Sequence, residues 1–374
     1  LYGLSHRLDD VARRDLTRND PFLRLAAWLA LRAGADAGAP KLLVTLPPGW
    51  EGFAPWLEQL VEESLGKAGA GFLIFYDQSP AARLGADCAV LRIAVEGRGA
   101  PPDGPPGLPA LTLRVPAAPG AGGLPGSLAG VGELAGLFLG FKKTVAGYGY
   151  LQDIVYAGQP AVEAYKKYAR DLREAGAPVP LSAGDSGRVA APGGLTVDYS
   201  TVVRRGLADG AALDAGGDAA GALVAVLDAA RRRGSLRYLD VTWNGELTPA
   251  LRDVFAGVRA GLANGALGIP AKLRTGPSDY HSTEQGETDG PPELVSLRLV
   301  AARHQDVAAG TYDDTFLLAQ ARGTWQAMED AGRWIVFITL PAATDEAVAA
   351  LAALFETVEG RLGAGREDTR PPGG

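Results

Sequence analysis

The chain has 374 residues, 47 % of them hydrophobic, which is enough for a sizeable core in two or three domains. Lys plus Arg is 36 against 43 for Asp plus Glu, a net charge of −7 with no basic excess to neutralise nucleic-acid phosphates. Cys 1 and His 3 exclude an intrachain disulfide or a Cys-based zinc or iron–sulfur centre within one chain and leave little for a His-rich metal centre. No apolar run reaches the ~18 residues of a membrane span. No signal peptide follows Leu1, so the expectation is a soluble cytoplasmic protein, processed or part of something longer.

The periodic segments alternate in type. Residues 21–33 place apolar side chains at helical spacing, and 41–46 (KLLVTL) is a β-type run stopped by Pro47 and Pro48. Phe53, Trp56, Leu57, Leu60 and Val61 share one side of a helix over 53–65. Residues 71–76, 88–95 and 110–115 read as strands, 126–150 as a long Gly-rich buried helix, and 160–174 as a helix with Pro at its first position. Strands separated by helices predict a doubly wound, mostly parallel sheet covered on both faces, with ligands at the carboxyl ends of its strands.

Further on, strands are predicted at 236–243, 267–273, 294–301 and 334–340, with helices at 248–264, 315–331 and 345–362. That order is a split β-α-β arrangement in an α+β lobe. Gly 51 and Pro 26 cluster in 97–126, 176–221 and 363–374. The domains expected are therefore 1–175, a Gly/Ala-rich connection over 176–221, a lobe over 222–362 and a frayed tail over 363–374.

Three segments can carry chemistry. Glu62-Glu63-Ser64-Leu65-Gly66-Lys67 ends a helix: Gly66 stops it, Lys67 complements its negative end, and a carboxylate held there can act as a base. As a Glu-Glu pair alone it reads as a solvated helix end. In Gln159 to Lys167, Lys166 falls on the side of Val162 rather than Glu163, an inward position that a ligand oxygen would explain. Residues 275–292 form a loop of donors and acceptors around His281, Ser282, Thr283, Glu284 and Gln285, equally readable as a polar hairpin tip. His6 and His304 read as structural or exposed, and no Ser–His–Asp motif or phosphate loop is present.

Taken in order, these blocks resemble the isomerase part of bifunctional transaldolase/phosphoglucose isomerase proteins. KLLVTLPPGWEGFAPWLEQLVEESLGKAGAG is similar to the family's strand–helix–turn, and the opening over 19–31 to its first helix. YGYLQDIVYAGQPAVEAYKKYARDL resembles its "GxLxxxNPFDQPxVExxK" helix, and YHSTEQGETDGPPELVSLRL its "LHSTGQ…GGP" loop and strand. The resemblance implies a sugar-isomerase fold and a metal-free isomerisation of glucose 6-phosphate to fructose 6-phosphate through a cis-enediol. It implies Glu63 as proton shuttle, Lys166 beside the ring oxygen, His281 in ring opening and Gln159 as the orienting group. Ser282, Thr283 and Gln285 would complete the phosphosugar site. No nucleic acid or membrane partner is implied, and a homo-oligomer is.

The sequence also departs from the family. Gly158 replaces the Asp of "NPFDQP", and Glu287 and Asp289 stand where a Lys precedes "GGP", an unfavourable change beside a phosphosugar. The family's earlier domain, with its phosphate loop, is expected before Leu1 or on a second chain. The alternatives are a non-catalytic structural or assembly domain that kept the fold and a module that binds a sugar phosphate without turnover.

Overall fold

The computed structural model describes residues 20–33, 38–116, 128–175, 187–207, 218–276, 283–303 and 313–367. They form a mixed α/β protein that divides into two compact units, Leu1–Gln159 and Pro160–Gly374. The boundary falls before the helix over 160–174, which the sequence reading assigned to the first domain.

In the N-terminal unit, β1 (Lys41–Thr45), β2 (Leu73–Phe75), β3 (Cys88–Val95) and β4 (Ala110–Val115) form a parallel sheet of order β2-β1-β3-β4. Lys41 stands opposite both Leu73 and Cys88. The helices are α1 (Pro21–Arg32), α2 (Phe53–Leu65) and α3 (Leu128–Leu151). Helix α1 starts where Asp20 accepts from the N–H groups of Phe22 (2.9 Å) and Leu23 (3.2 Å), two of the donors a helix start leaves orphaned.

All three helices pack on the face that carries Leu42, Val44, Leu91 and Ile93. The Gly-rich sequence of α3 has a packing reason. A Cβ at Gly140 would strike the Phe22 ring of α1, which is held edge-on to Phe141 at 5.5 Å. The opposite sheet face, with Leu43, Phe75 and Val90, is also buried, and part of its cover is the Gly/Pro-rich segment after β3, where Gly104 lies against Val90. The expectation of helices on both faces therefore fails in this unit among the described residues.

The C-terminal unit has β5 (Gly187–Ala190), β6 (Thr196–Tyr199), β7 (Tyr238–Asn244), β8 (Ala271–Gly276), β9 (Leu294–Ala301) and β10 (Trp334–Leu340). Their order is β5-β6-β10-β9-β7-β8. Strands β7 to β10 are mutually parallel, and β6 runs antiparallel to β10 and to β5. The helices are α4 (Pro160–Glu174), α5 (Thr201–Gly206), α6 (Ala219–Arg232), α7 (Pro249–Gly257), α8 (Thr283–Asp289), α9 (Asp314–Asp330) and α10 (Asp345–Glu367). Helix α7 runs on into a π-helical stretch, Val258–Leu267.

Three expectations are corrected here. The order is doubly wound, not split β-α-β: α8 lies between β8 and β9, and both strands pair in parallel with β7, on opposite sides of it. The supposed connection over 176–221 contains β5, β6, α5 and the start of α6. Helix α10 runs past Leu362 into the supposed tail. Counted within each unit, the four parallel strands share the order 2-1-3-4.

Parity divides the second sheet. Leu239, Val241, Trp243, Leu297, Leu299, Val336 and Ile338 join the core formed with α6, α7 and α10. The alternate positions of the same strands carry Asp240, Thr242, Asn244, Lys272, Arg274, Ser296 and Arg298, all at least nine-tenths buried, on the side of α8 and α9. Helix α4 packs on α9, and the approach depends on Gly323, where a Cβ would sit 2.6 Å from the Tyr165 carbonyl oxygen. Among the described residues, no helix is long and apolar enough to cross a membrane.

Candidate functional site

The Glu62–Lys67 segment begins in the last turn of α2. Phe53, Leu57, Val61 and Leu65 bury the inner stripe of this helix, and Glu62 is buried as well while Glu63 is half-buried. Gly66 caps the helix by donating its N–H to the Glu62 carbonyl at 3.1 Å. Lys67 does not simply complement the helix end. It is buried, and its Nζ donates to the carbonyl oxygens of Val155 (2.9 Å) and Ala157 (3.2 Å). Hydrogen bonds from an ammonium are among the stronger ones, so the segment after α3 is tied to the end of α2. Tyr148 of α3 adds a donor to the Gly71 carbonyl at 3.2 Å. The stretch ending at Gln159, which is half-buried, is thus docked beside Glu63's turn.

Gly158, standing where the resemblance expects Asp, has φ +80°. Glycine takes that conformation at no steric cost, so the backbone shape suits the residue found there. Glu63 lies at the amino-end side of its sheet, because α2 runs antiparallel to β1 and ends just before β2 begins. The sequence reading sought chemistry at the carboxyl ends, so this group stands at the other edge.

In the C-terminal unit, α4 opens with Pro160, and the Ala161 N–H donates to Oε1 of Gln285 at 3.0 Å. A side chain of the HSTEQ block thereby satisfies an orphan donor at the start of the QPAVE helix. Gln285 is fully buried and donates through Nε2 to Asp289 at 3.1 Å. Lys166 is not inward: its Nζ is 3.1 Å from Oε1 of Glu163, and its side chain is 41 % exposed. Residues three apart are helix neighbours as surely as residues four apart, and the charge chose Glu163. His281 and Ser282 lie outside the described residues, and Thr283 is the first residue of α8.

The acids of this block are not turned toward a ligand. Glu287 is buried between Arg274 and Arg298 and pairs with both. Arg274 Nη1 also reaches Asp240 at 2.9 Å, and Arg298 Nη1 reaches Glu284 at 2.8 Å. Arg298 donates through Nε to Ser296 at 3.0 Å. Burial pushes the Glu284 carboxyl up from its ordinary value, and Arg298 opposes that shift. Glu287 and Asp289 therefore stabilise α8 instead of repelling a phosphosugar. The sequence reading missed Asp240, Arg274 and Arg298. Their signal is alternation: Asp240, Thr242 and Asn244 in β7, Lys272 and Arg274 in β8, and Ser296 and Arg298 in β9 stand two residues apart.

No family model matches the chain, and no curated protein matches it. A solved structure described as a hypothetical protein, TT0462, from Thermus thermophilus aligns with 97 % of this chain and 88 % of that one, at 13 % identity and a TM-score of 0.31. A likeness this slight carries no inference about function.

Proposed function

We propose that this chain is the proton-transfer part of an aldose–ketose isomerase of sugar-isomerase fold that converts glucose 6-phosphate to fructose 6-phosphate. One observation carries the reading. Within the N-terminal unit Lys67 ties the ESLGK block to the segment leading into Gln159, and within the C-terminal unit Gln285 ties the HSTEQ block to the helix that follows. In each unit one candidate block is tied by hydrogen bonds to the residues on its own side of the boundary at Gln159.

In this reading Glu63 moves a proton between C1 and C2, Lys166 steadies the ring oxygen and His281 assists ring opening. Gln159, Ser282, Thr283 and Gln285 orient the sugar. A base at carbon needs a nearby cation for the enediolate charge. The phosphate falls to another domain or a second chain, as the resemblance implies, and the protein works as a cytoplasmic homo-oligomer without a cofactor.

A coupled assay for fructose 6-phosphate tests it. Glu63→Gln lowers turnover by about 10²- to 10⁴-fold, the usual worth of a positioned base, with an unchanged circular dichroism spectrum. Wild-type turnover that survives in Glu63→Gln removes this residue from the mechanism.

A second reading, binding without turnover, is favoured by the Lys166–Glu163 pair, which occupies the cation on an open helix face. Saturable binding of glucose 6-phosphate with no fructose 6-phosphate formed would select it.

A further inference from the structure

A groove of about 340 Å³ runs along the C-terminal unit, between α10 on one side and α7 with its π-helical continuation on the other. Its floor is apolar and rests on the core beneath: Val254, Val258, Leu262, Val348 and Phe355. Its walls carry small residues. They are Ala349 and Ala352 on α10, and Ala250 and Gly257 on α7, where a Cβ on the glycine would meet nothing within 4 Å. The α10 positions of the lining, from Asp345 to Glu359, recur three and four residues apart, as on one face of a helix. That face is about 21 Å long at 1.5 Å per residue. Two helices that leave such a trough between them offer the ridges and grooves into which a third helix packs.

The charges say which helix. The charged side chains of the lining are Asp253, Asp345, Glu356 and Glu359, and among the described residues it holds no Lys, Arg or His. None of the four takes part in an ion pair among the described residues. Arg361, just beyond the groove on α10, is taken by Asp218 at 2.5 Å. Acids stand at both ends of the α10 wall, with Asp345 eleven residues, about 16 Å, from Glu356. Carboxylates alone would suit any cation. The apolar floor between them selects a cationic partner that also presents a row of large apolar side chains.

We propose that this groove docks an amphipathic helix of a partner protein, with basic residues at both ends of an apolar stripe. Large apolar side chains of the partner rest on Val254, Val258 and Phe355, and the small wall residues let its backbone approach. Its Lys or Arg side chains, about three turns apart, meet Asp345 at one end and Glu356 and Glu359 at the other. The apolar contact supplies most of the affinity, and the rim charges speed association and exclude acidic helices. Glu63 belongs to the other unit, so this inference stands or falls apart from the isomerase reading.

Fluorescence anisotropy of the full chain with a labelled helical peptide tests this. The peptide has about 18 residues of Leu, Ala and Gln, with Leu at i, i+3, i+4 and i+7 and two Arg at each end. It binds saturably, and hydrogen exchange shows new protection confined to 249–262 and 345–359. Replacing its Arg by Glu, or shuffling Leu so that the stripe is lost, weakens binding about tenfold or more. Ala349→Trp fills the groove from an exposed position, and Glu356→Lys reverses an exposed rim charge. Each weakens binding to the same degree with an unchanged circular dichroism spectrum. Glu174→Lys, the same charge change on an exposed position of α4, binds like the wild type. The proposal is overturned if the arginine peptide does not saturate, or if both groove variants bind like the wild type. It is also overturned if the shuffled peptide or spermine binds as tightly, which would make the groove a trap for any cation. Self-association of the chain that both groove variants abolish would assign the groove to a second copy and overturn it too.

Discussion

The two units lay four parallel strands in the same 2-1-3-4 order, yet they differ in the second face of the sheet. In the N-terminal unit helices cover one face, and Gly/Pro-rich coil contributes to the cover of the other. In the C-terminal unit helices cover both, and the layer beneath α8 and α9 is charged. Topology thus sets the strand order, but the chemistry of the second face decides what is held there. An apolar face accepts coil as part of its cover, whereas an ion-paired layer fastens a short helix that could not be held by its own apolar residues.

The largest effect is expected from breaking that charged layer. Arg298→Met leaves Glu284 without its paired cation and Glu287 with only Arg274. Removing one partner of a buried pair costs about 3–5 kcal/mol, because the desolvated charge stays behind. Urea unfolding followed by hydrogen exchange resolved along the chain should show this loss in the C-terminal unit alone. Adding Glu284→Leu to Arg298→Met recovers part of the loss if the pairing is responsible. Equal destabilisation of both units would mean that they do not unfold separately.

A smaller effect probes the N-terminal unit by its helix packing. Gly140→Ala drives a methyl into the Phe22 ring, which is itself buried and locked against Phe141. Overpacking of this kind costs about 1–3 kcal/mol. Exchange protection should fall in α1 and α3, with α4 to α10 unaffected. Wild-type protection in α1 would show that the two helices can part without cost.

Much of this arrangement can be read from local pattern. The helices over 53–65 and 160–174 and the strands over 88–95, 294–301 and 334–340 end where the sequence reading ended them, since apolar periodicity and flanking Gly or Pro agree there. Helix α6 was hidden because its buried face is largely alanine (Ala219, Ala220, Ala222, Ala229 and Ala230), which imitates a Gly/Ala-rich linker. Strands β5 and β6 are only four residues each. Helix α8 (TEQGETD) has no apolar stripe, and its burial depends on arginines from two strands. For the candidate site, residue types and blocks were legible. The Lys67 and Gln285 contacts were not, because each links positions nearly ninety or more apart in the chain.

The smallest and most specific effect is a pH dependence. Glu284 is fully buried, and desolvation raises its pKa above the ordinary carboxylate value despite Arg298. The native state therefore binds this proton more tightly than the unfolded chain does. By linkage, Glu284's contribution is fully present below the unfolded pKa of about 4.3, and stability falls as pH rises from there through the raised native value. Glu284→Gln keeps a side chain that can hydrogen-bond to Arg298 but removes the titration. The urea midpoint of the C-terminal unit should decline with pH more steeply in the wild type than in Glu284→Gln across that window. Parallel curves would mean that the Arg298 charge cancels the burial, and that the layer tolerates its third carboxylate because Arg298 compensates for it.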